Sequence, residues 1–288
     1  MDITVFIVDG GEEKKSVVGH KRKHYYNAED VLAKEMQQYD ISGNIVKLDP
    51  EEPLPHKTES NLNLILDTSL MVKEDTINHL ISLNNMFRTA GIFCGPVYQK
   101  VEEISQQNPI NDKMHSSYYS YDLNFGGTEV CNISKDINSY PNLVGCCVTK
   151  EAYNNYIINP LIKSRFYSRD NRMFISKISE RYDLIYSKGF SKIKNLTTAD
   201  FSITAVSNYY YNLGFQDGSV LASKNADQKQ LEIWRRFVSS PELLDNELPR
   251  WLFRVTAEEG SEHLEQLVLL KCKYQIGFYE GMLGKNVL

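Results

Sequence analysis

The stretch that most constrains this chain is Asn61 to Leu83, NLNLILDTSLMVKEDTINHLISL. It opens on the apolar run Leu62-Asn63-Leu64-Ile65-Leu66, the length of a buried strand. The run stops at Asp67. A few residues of loop character follow. Lys73-Glu74-Asp75 then leads into Ile77, Leu80 and Ile81 at helical spacing, with Asp75 or Thr76 as the expected cap. A carboxylate therefore stands where a buried strand ends and a helix is about to begin. In open α/β sheets, ligands bind at the ends of strands. The same Asp at a strand–loop junction can also make an ordinary turn, and the residues alone leave both readings open.

The flanking chain repeats this logic. Ile3 to Val8 is a six-residue β-rich run ending in Asp9-Gly10-Gly11, which places a second carboxylate at a strand end. The basic run His20-Lys-Arg-Lys-His24 is either a solvated loop or a rim that attracts phosphate. Asn27 precedes Val31, Leu32, Glu35 and Met36 on one stripe, which predicts a capped helix to about Tyr39. Asn44 to Leu48 reads as a strand and Pro50 to Ser60 as a loop. Ala90 to Tyr98 reads as a strand broken at Gly95-Pro96. Val101 to Phe125 is long, polar and rich in tyrosine (Tyr118, Tyr119, Tyr121), the kind of connection that is usually functional. Pro141 to Val148 reads as a strand, with Thr149 capping a helix from Lys150. Met173, Phe174, Ile178 and Ile185 fit a helix through Tyr186, ended by Gly189. Phe190 to Leu196 reads as a strand, and from Phe201 the pattern is helical.

The C-terminal part carries a short internal repeat. Tyr211-Asn-Leu-Gly214-Phe-Gln-Asp-Gly218 and Tyr274-Gln-Ile-Gly277-Phe-Tyr-Glu-Gly281 share Tyr-x-x-Gly-Phe-x-x-Gly. Glycines four apart on a helix let another backbone come close, so the repeat predicts helix packing. Two copies are too few for a solenoid.

Composition excludes several classes. No apolar run approaches the roughly 18 residues of a membrane span. The start MDITVFIVDGG lacks a basic leader and is already strand-like. The five cysteines are odd in number and lack metal-finger spacing, which points to reduced thiols and a cytoplasmic setting. Abundant Tyr, Asn, Lys and Ile with sparse Ala suit an AT-rich genome, phage-like in composition. Net charge is −5, yet Lys163 to Lys194 holds nine basic and three acidic residues, a local +6. Such asymmetry suits an anionic partner, beside its ordinary use as a solvated helix face.

The ordered set of motifs resembles the GT-A glycosyltransferases, in particular family 2-like sugar transferases. Leu66-Asp67-Thr68-Ser69 with the following helix is similar to the family's Asp-x-Asp segment. Asn142 to Ala152 resembles its acceptor-side strand–helix unit. Arg169-Asp170-Asn171, its helix and Gly189 resemble the Glu-Asp segment that supplies the base. The match covers roughly residues 61 to 218, with Val8-Asp9-Gly10-Gly11 a looser match before it. Three positions depart from the pattern: Ser69 replaces the last Asp, Arg169 replaces Glu, and no His follows the strand near Phe190 to Leu196.

The resemblance implies an α/β, Rossmann-like mixed sheet flanked by helices over residues 1–200, with a helical C-terminal annex over 201–288. It implies transfer of a sugar from a nucleotide-sugar donor, a UDP-sugar foremost, to the hydroxyl of a carbohydrate or another acceptor. Asp170 would be the general base. Asp9, Gly10, Asp67, Ser69, Arg169 and Arg172 would bind the nucleotide sugar, and Asp67 with Ser69 would contact Mg or Mn, with Arg and Lys as the alternative neutralisers of the diphosphate. Two other readings stay open: the same chemistry on a modified base in DNA, and a catalytically degenerate binding or assembly module. Tyr118, Tyr119, Tyr121 and Tyr167 are candidates to stack on a sugar ring or on an exposed base.

Overall fold

The computed structural model describes residues 1–8, 25–49, 52, 54–101, 123, 128–135, 140–156, 171–196, 203–223 and 264–283. These fall into two compact units, one within Met1–Glu102 and Tyr119–Leu196, the other carrying the helices of Thr197–Leu288. The first unit is α/β. Strand β1 (Ile3–Val8) is buried along its whole length. It lies between β3 (Gly43–Leu48) and β4 (Leu62–Asp67), parallel to both. Fully buried runs such as ITVFIV and LNLILD belong in a sheet covered on both faces, so they show no alternation. Beyond β4 come β9 (Cys146–Thr149), antiparallel to it, then β6 (Ala90–Cys94), β10 (Asp183–Ser187) and β8 (Val130–Asn132). The result is a seven-stranded mixed sheet, flanked by helices. The α/β mixed-sheet class expected from the sequence is the class observed.

A second sheet of four strands has the order β2 (Tyr25–Asn27), β5 (Leu70–Lys73), β11 (Lys192–Leu196) and β7 (Val97–Val101). Three strands of the large sheet feed it directly: β4 into β5, β6 into β7 and β10 into β11. Each crossing occurs at the C-terminal edge of the large sheet. Gly95 makes one crossing possible, because a Cβ there would stand 2.3 Å from Phe190 O and 2.4 Å from Ser187 O. The break expected at Gly95-Pro96 is thus a change of sheet, and Pro96 O accepts from Lys192 N–H at 2.9 Å.

Helix α1 (Ala28–Gln38) starts as its sequence dictates. Asn27 Oδ1 accepts from Glu29 N–H at 2.9 Å, and Val31, Leu32, Glu35 and Met36 are buried. Helix α2 (Thr76–Met86) departs from expectation at its cap. Asp75 has φ 64° and makes no side-chain cap. The cap comes from α1: Glu35 accepts from Thr76 N–H at 3.2 Å and Ile77 N–H at 2.7 Å. The acceptor is a carboxylate at the positive end of the helix. Burial raises the Glu35 pKa, against the three backbone hydrogen bonds that favour the ionised form.

Three more segments correct the sequence reading. Residues after Asp67 read as loop form β5. The strand expected over Pro141–Val148 is confined to β9, because Gly145 takes φ 97° and turns the chain. The long helix expected through Tyr186 is α4 (Asn171–Ser179), a turn, and then β10; α3 (Lys150–Tyr156) precedes it. Leu184 to Ser187 are buried consecutively, which suits a strand covered on both faces. Helical spacing of Ile178 and Ile185 could not distinguish the two.

In the second unit, α5 (Ile203–Ser223) and α6 (Leu264–Leu283) pack through the repeated glycines. A Cβ on Gly214 would meet Tyr274 O at 2.0 Å, and one on Gly277 would meet Tyr211 O at 2.0 Å. Gly218 faces Phe278 O and Gly281 faces Phe215 O, each at 2.1 Å. The contacts advance in step, so the helices run parallel. The polar ends of the repeat also exchange: Tyr274 OH donates to Asp217 Oδ2 at 2.8 Å, and Tyr211 OH donates to Glu280. The repeat is a packing device, as its glycine spacing implied.

Candidate functional site

The site is built where the two sheets meet. The register of β1 on β4 pairs Val8 with Asp67, and Thr68 N–H donates to Val8 O at 3.1 Å. Asp67 is the last residue of a wholly buried strand and is itself only 4% exposed. Its Oδ1 accepts from Ser69 N–H at 2.8 Å and also from the Ser69 hydroxyl. Its Oδ2 faces Lys194 Nζ at 3.7 Å. Lys194 comes from β11, where it pairs with Leu70 on one side and Gln99 on the other. The ion pair therefore joins the end of the large sheet to the central part of the small one.

Lys192 lies two residues back, on the same face of β11. It is 0% exposed. Nζ donates to Phe190 O at 3.0 Å and sits over the Phe190 ring, 3.5 Å from its centre. Its stem runs past Gly145: a Cβ there would be 3.4 Å from Lys192 Cε. Gly145 N–H donates to Ile65 O at 2.7 Å, which anchors this turn to β4. Burial pushes the Lys192 ammonium down to about 8, with Cys146, Cys94 and Cys147 acting the other way. Burial also pushes Cys147 up to about 12 and Cys146 well above its ordinary value. Both thiols are therefore protonated at neutral pH and are not nucleophiles there. All five cysteines are free.

Of the residues singled out in the sequence, Asp67 and Ser69 are brought together. Asp9, Gly10, Arg169 and Asp170 lie outside the described residues, as do Tyr118, Tyr119, Tyr121, Tyr167 and the His20–His24 run. Arg172 lies in α4, with its side chain outside the description. Sequence composition does not single out Lys192 and Lys194 within the +6 segment. Their signal was Lys-Ile-Lys alternation in a strand, which puts both ammonium groups on one face.

A Mg or Mn ion requires several oxygen ligands. Among the described residues no group of three or more His, Cys, Asp or Glu could hold a metal. Asp67 is the one carboxylate in the cluster of Asp67, Ser69, Lys192 and Lys194. One of its oxygens takes both Ser69 protons, and the other faces an ammonium that repels a divalent cation. These donors do not by themselves fit such an ion.

No protein-family model matches the chain, and no curated protein matches it in sequence. Among solved structures, S. aureus TarS 1–349 in complex with UDP-GlcNAc is 10% identical with a TM-score of 0.41. S. aureus TarS 1–349 in complex with UDP is 12% identical with a TM-score of 0.35. Both alignments cover 100% of this chain and 92% of the other. A longer TarS structure is 11% identical with a TM-score of 0.37, over 97% of this chain and 55% of that one. Superpositions this loose carry no weight for function. Among the described residues, no helix is long and apolar enough to cross a membrane.

Proposed function

We propose that the chain is a nucleotide-sugar-dependent glycosyltransferase. The observation that carries this reading is the buried Asp67 at the C-terminal end of β4, beside Val8, where the strand order reverses: the chain runs from β1 to β3 on one side of β1 and returns to β4 on the other. Strand ends at such a switch are where α/β sheets take nucleotides. Asp67 and Ser69 hold the nucleotide, with Asp9 and Gly10 as the further contacts that the sequence pattern proposes. The donor to test first is a UDP-sugar. The acceptor is a carbohydrate or another hydroxyl-bearing molecule.

Asp170 takes the proton of the acceptor hydroxyl as its oxygen bonds to the sugar C1. The bond from C1 to the diphosphate oxygen breaks, and the electron pair leaves with the nucleoside diphosphate. A positioned general base contributes roughly 10²- to 10⁴-fold in rate, so Asp170→Asn lowers turnover by that factor and leaves donor binding intact.

Thermal melting of the full chain with a panel of nucleoside diphosphates tests the reading. A ligand that binds only the folded form raises Tm. UDP raises it for the wild type and leaves folded Asp67→Ala unchanged. No shift with any nucleotide supports the binding or assembly module instead.

A further inference from the structure

We infer that the Lys194 ammonium supplies the positive charge that neutralises the leaving diphosphate at this site, in place of a divalent metal ion. The inference rests on the glycosyltransferase reading and adds a residue and a charge mechanism to it.

Four observations converge. Lys194 Nζ stands 3.7 Å from Asp67 Oδ2, the carboxylate oxygen that does not take the Ser69 hydrogen bonds. The distance is beyond a tight hydrogen bond, so Asp67 attracts the ammonium without enclosing it, and an ammonium has three protons to donate. Lys194 is held by a strand paired on both sides, at Leu70 and Gln99. Its backbone is thus fixed before a ligand arrives and Asp67 draws its ammonium to one side, and preorganised charge is what stabilises charge that develops in a reaction. The side chain retains 12% exposure, against 5% for Asp67, so the ammonium can meet an incoming ligand beside the carboxylate. Finally, Ser69 stands two residues after Asp67, and its hydroxyl donates to Asp67. Among the described residues, no group of three or more His, Cys, Asp or Glu stands here to recruit a metal.

The step balances without a metal. When the bond from the sugar C1 to the diphosphate oxygen breaks, the phosphate gains one negative charge. Lys194 faces that oxygen as a fixed cation and transfers no proton. The acceptor proton leaves separately, to Asp170. Asp67 attracts the Lys194 ammonium before the donor binds and shares it with the diphosphate afterwards.

The test is direct binding of UDP, UMP and uridine to the full chain by calorimetry, after dialysis against EDTA and again with added Mn. Wild type binds UDP in EDTA within about threefold of its affinity in Mn. Lys194→Met weakens UDP by about 10- to 100-fold, the worth of a hydrogen bond to a charged group. It weakens UMP less and leaves uridine unchanged; Lys194→Arg retains UDP, and Lys34→Met on exposed α1 changes nothing. Because Lys194→Met leaves Asp67 buried without its cation, the melting temperature and uridine affinity of the variant are measured in parallel. Both are expected to stay near the wild type while UDP affinity falls. UDP binding that vanishes in EDTA and returns with Mn overturns the inference, as does a Lys194 variant with wild-type UDP affinity. Wild type that binds no nucleotide in either buffer removes the glycosyltransferase reading itself, a result separate from the other two.

Discussion

The end of the large sheet and the glycine seam of α5 and α6 are built on opposite principles. At the sheet end, Asp67, Lys192 and Lys194 sit in the interior of the first unit, where charge is costly. Lys192 has no carboxylate partner among the described residues. In the seam, the interior is backbone against backbone, and the polar groups of the repeat stay at its margins as Tyr–Asp and Tyr–Glu pairs. One region keeps charge in the interior; the other has only packing to satisfy. Substitutions should therefore move stability in opposite directions in the two places.

The largest loss is expected in the seam. Gly214→Ala with Gly277→Ala puts two methyl groups 2.0 Å from carbonyl oxygens that cannot move without separating the helices. Overpacking of this kind costs about 1–3 kcal/mol per site or more. Chemical denaturation that shows no loss would mean the helices do not meet through these glycines.

Lys192→Met is the counterpart and should stabilise. The folded Lys192 titrates at about 8 against an ordinary 10.5, so below pH 8 folding holds a proton where it is disfavoured. The unfolded chain binds more protons between those values, so the lysine's penalty falls as pH rises from about 8 to about 10.5. The gain from Lys192→Met is on the order of 3 kcal/mol at pH 7 and shrinks toward pH 10.5. Denaturation of both proteins at pH 7 and pH 10 measures it. A destabilised variant at pH 7 would show that the Phe190 carbonyl and ring contacts outweigh the burial cost.

A smaller effect is expected where interior charge caps a helix. Glu35→Ala leaves Thr76 N–H and Ile77 N–H without their acceptor and should cost about 1–3 kcal/mol. Glu35→Gln retains an acceptor and should recover most of it. Wild-type stability in Glu35→Ala would assign the α2 cap elsewhere. The smallest change is at the seam margin. Tyr274→Phe removes the bond to Asp217 and should cost about 0.5–1.5 kcal/mol. A loss as large as that of the glycine variants would make the polar margin, and not the backbone contact, the source of seam stability.

The sequence by itself determined the elements whose cause is local. Ile3–Val8 and Leu62–Leu66 are strands because each is a short apolar run that ends at a polar turn. Asn27 caps α1 because its side chain reaches two residues on. Four glycines at fixed spacing announced a close helix contact before any partner was known. Asp67 was marked as a strand-end carboxylate for the same reason. What tertiary structure decided depends on residues far apart in the chain. Asp183–Ser187 fits either period in isolation, and only the fit between β6 and β8 makes it a strand. Asp75 has the chemistry of a cap, but the carboxylate that reaches the helix end belongs to Glu35. Lys194 is one of nine basic residues until the pairing of β11 with β5 brings it to Asp67. Local propensity fixes what a segment can be. Which charge meets which is set by sheet register, and register is a property of the packed chain.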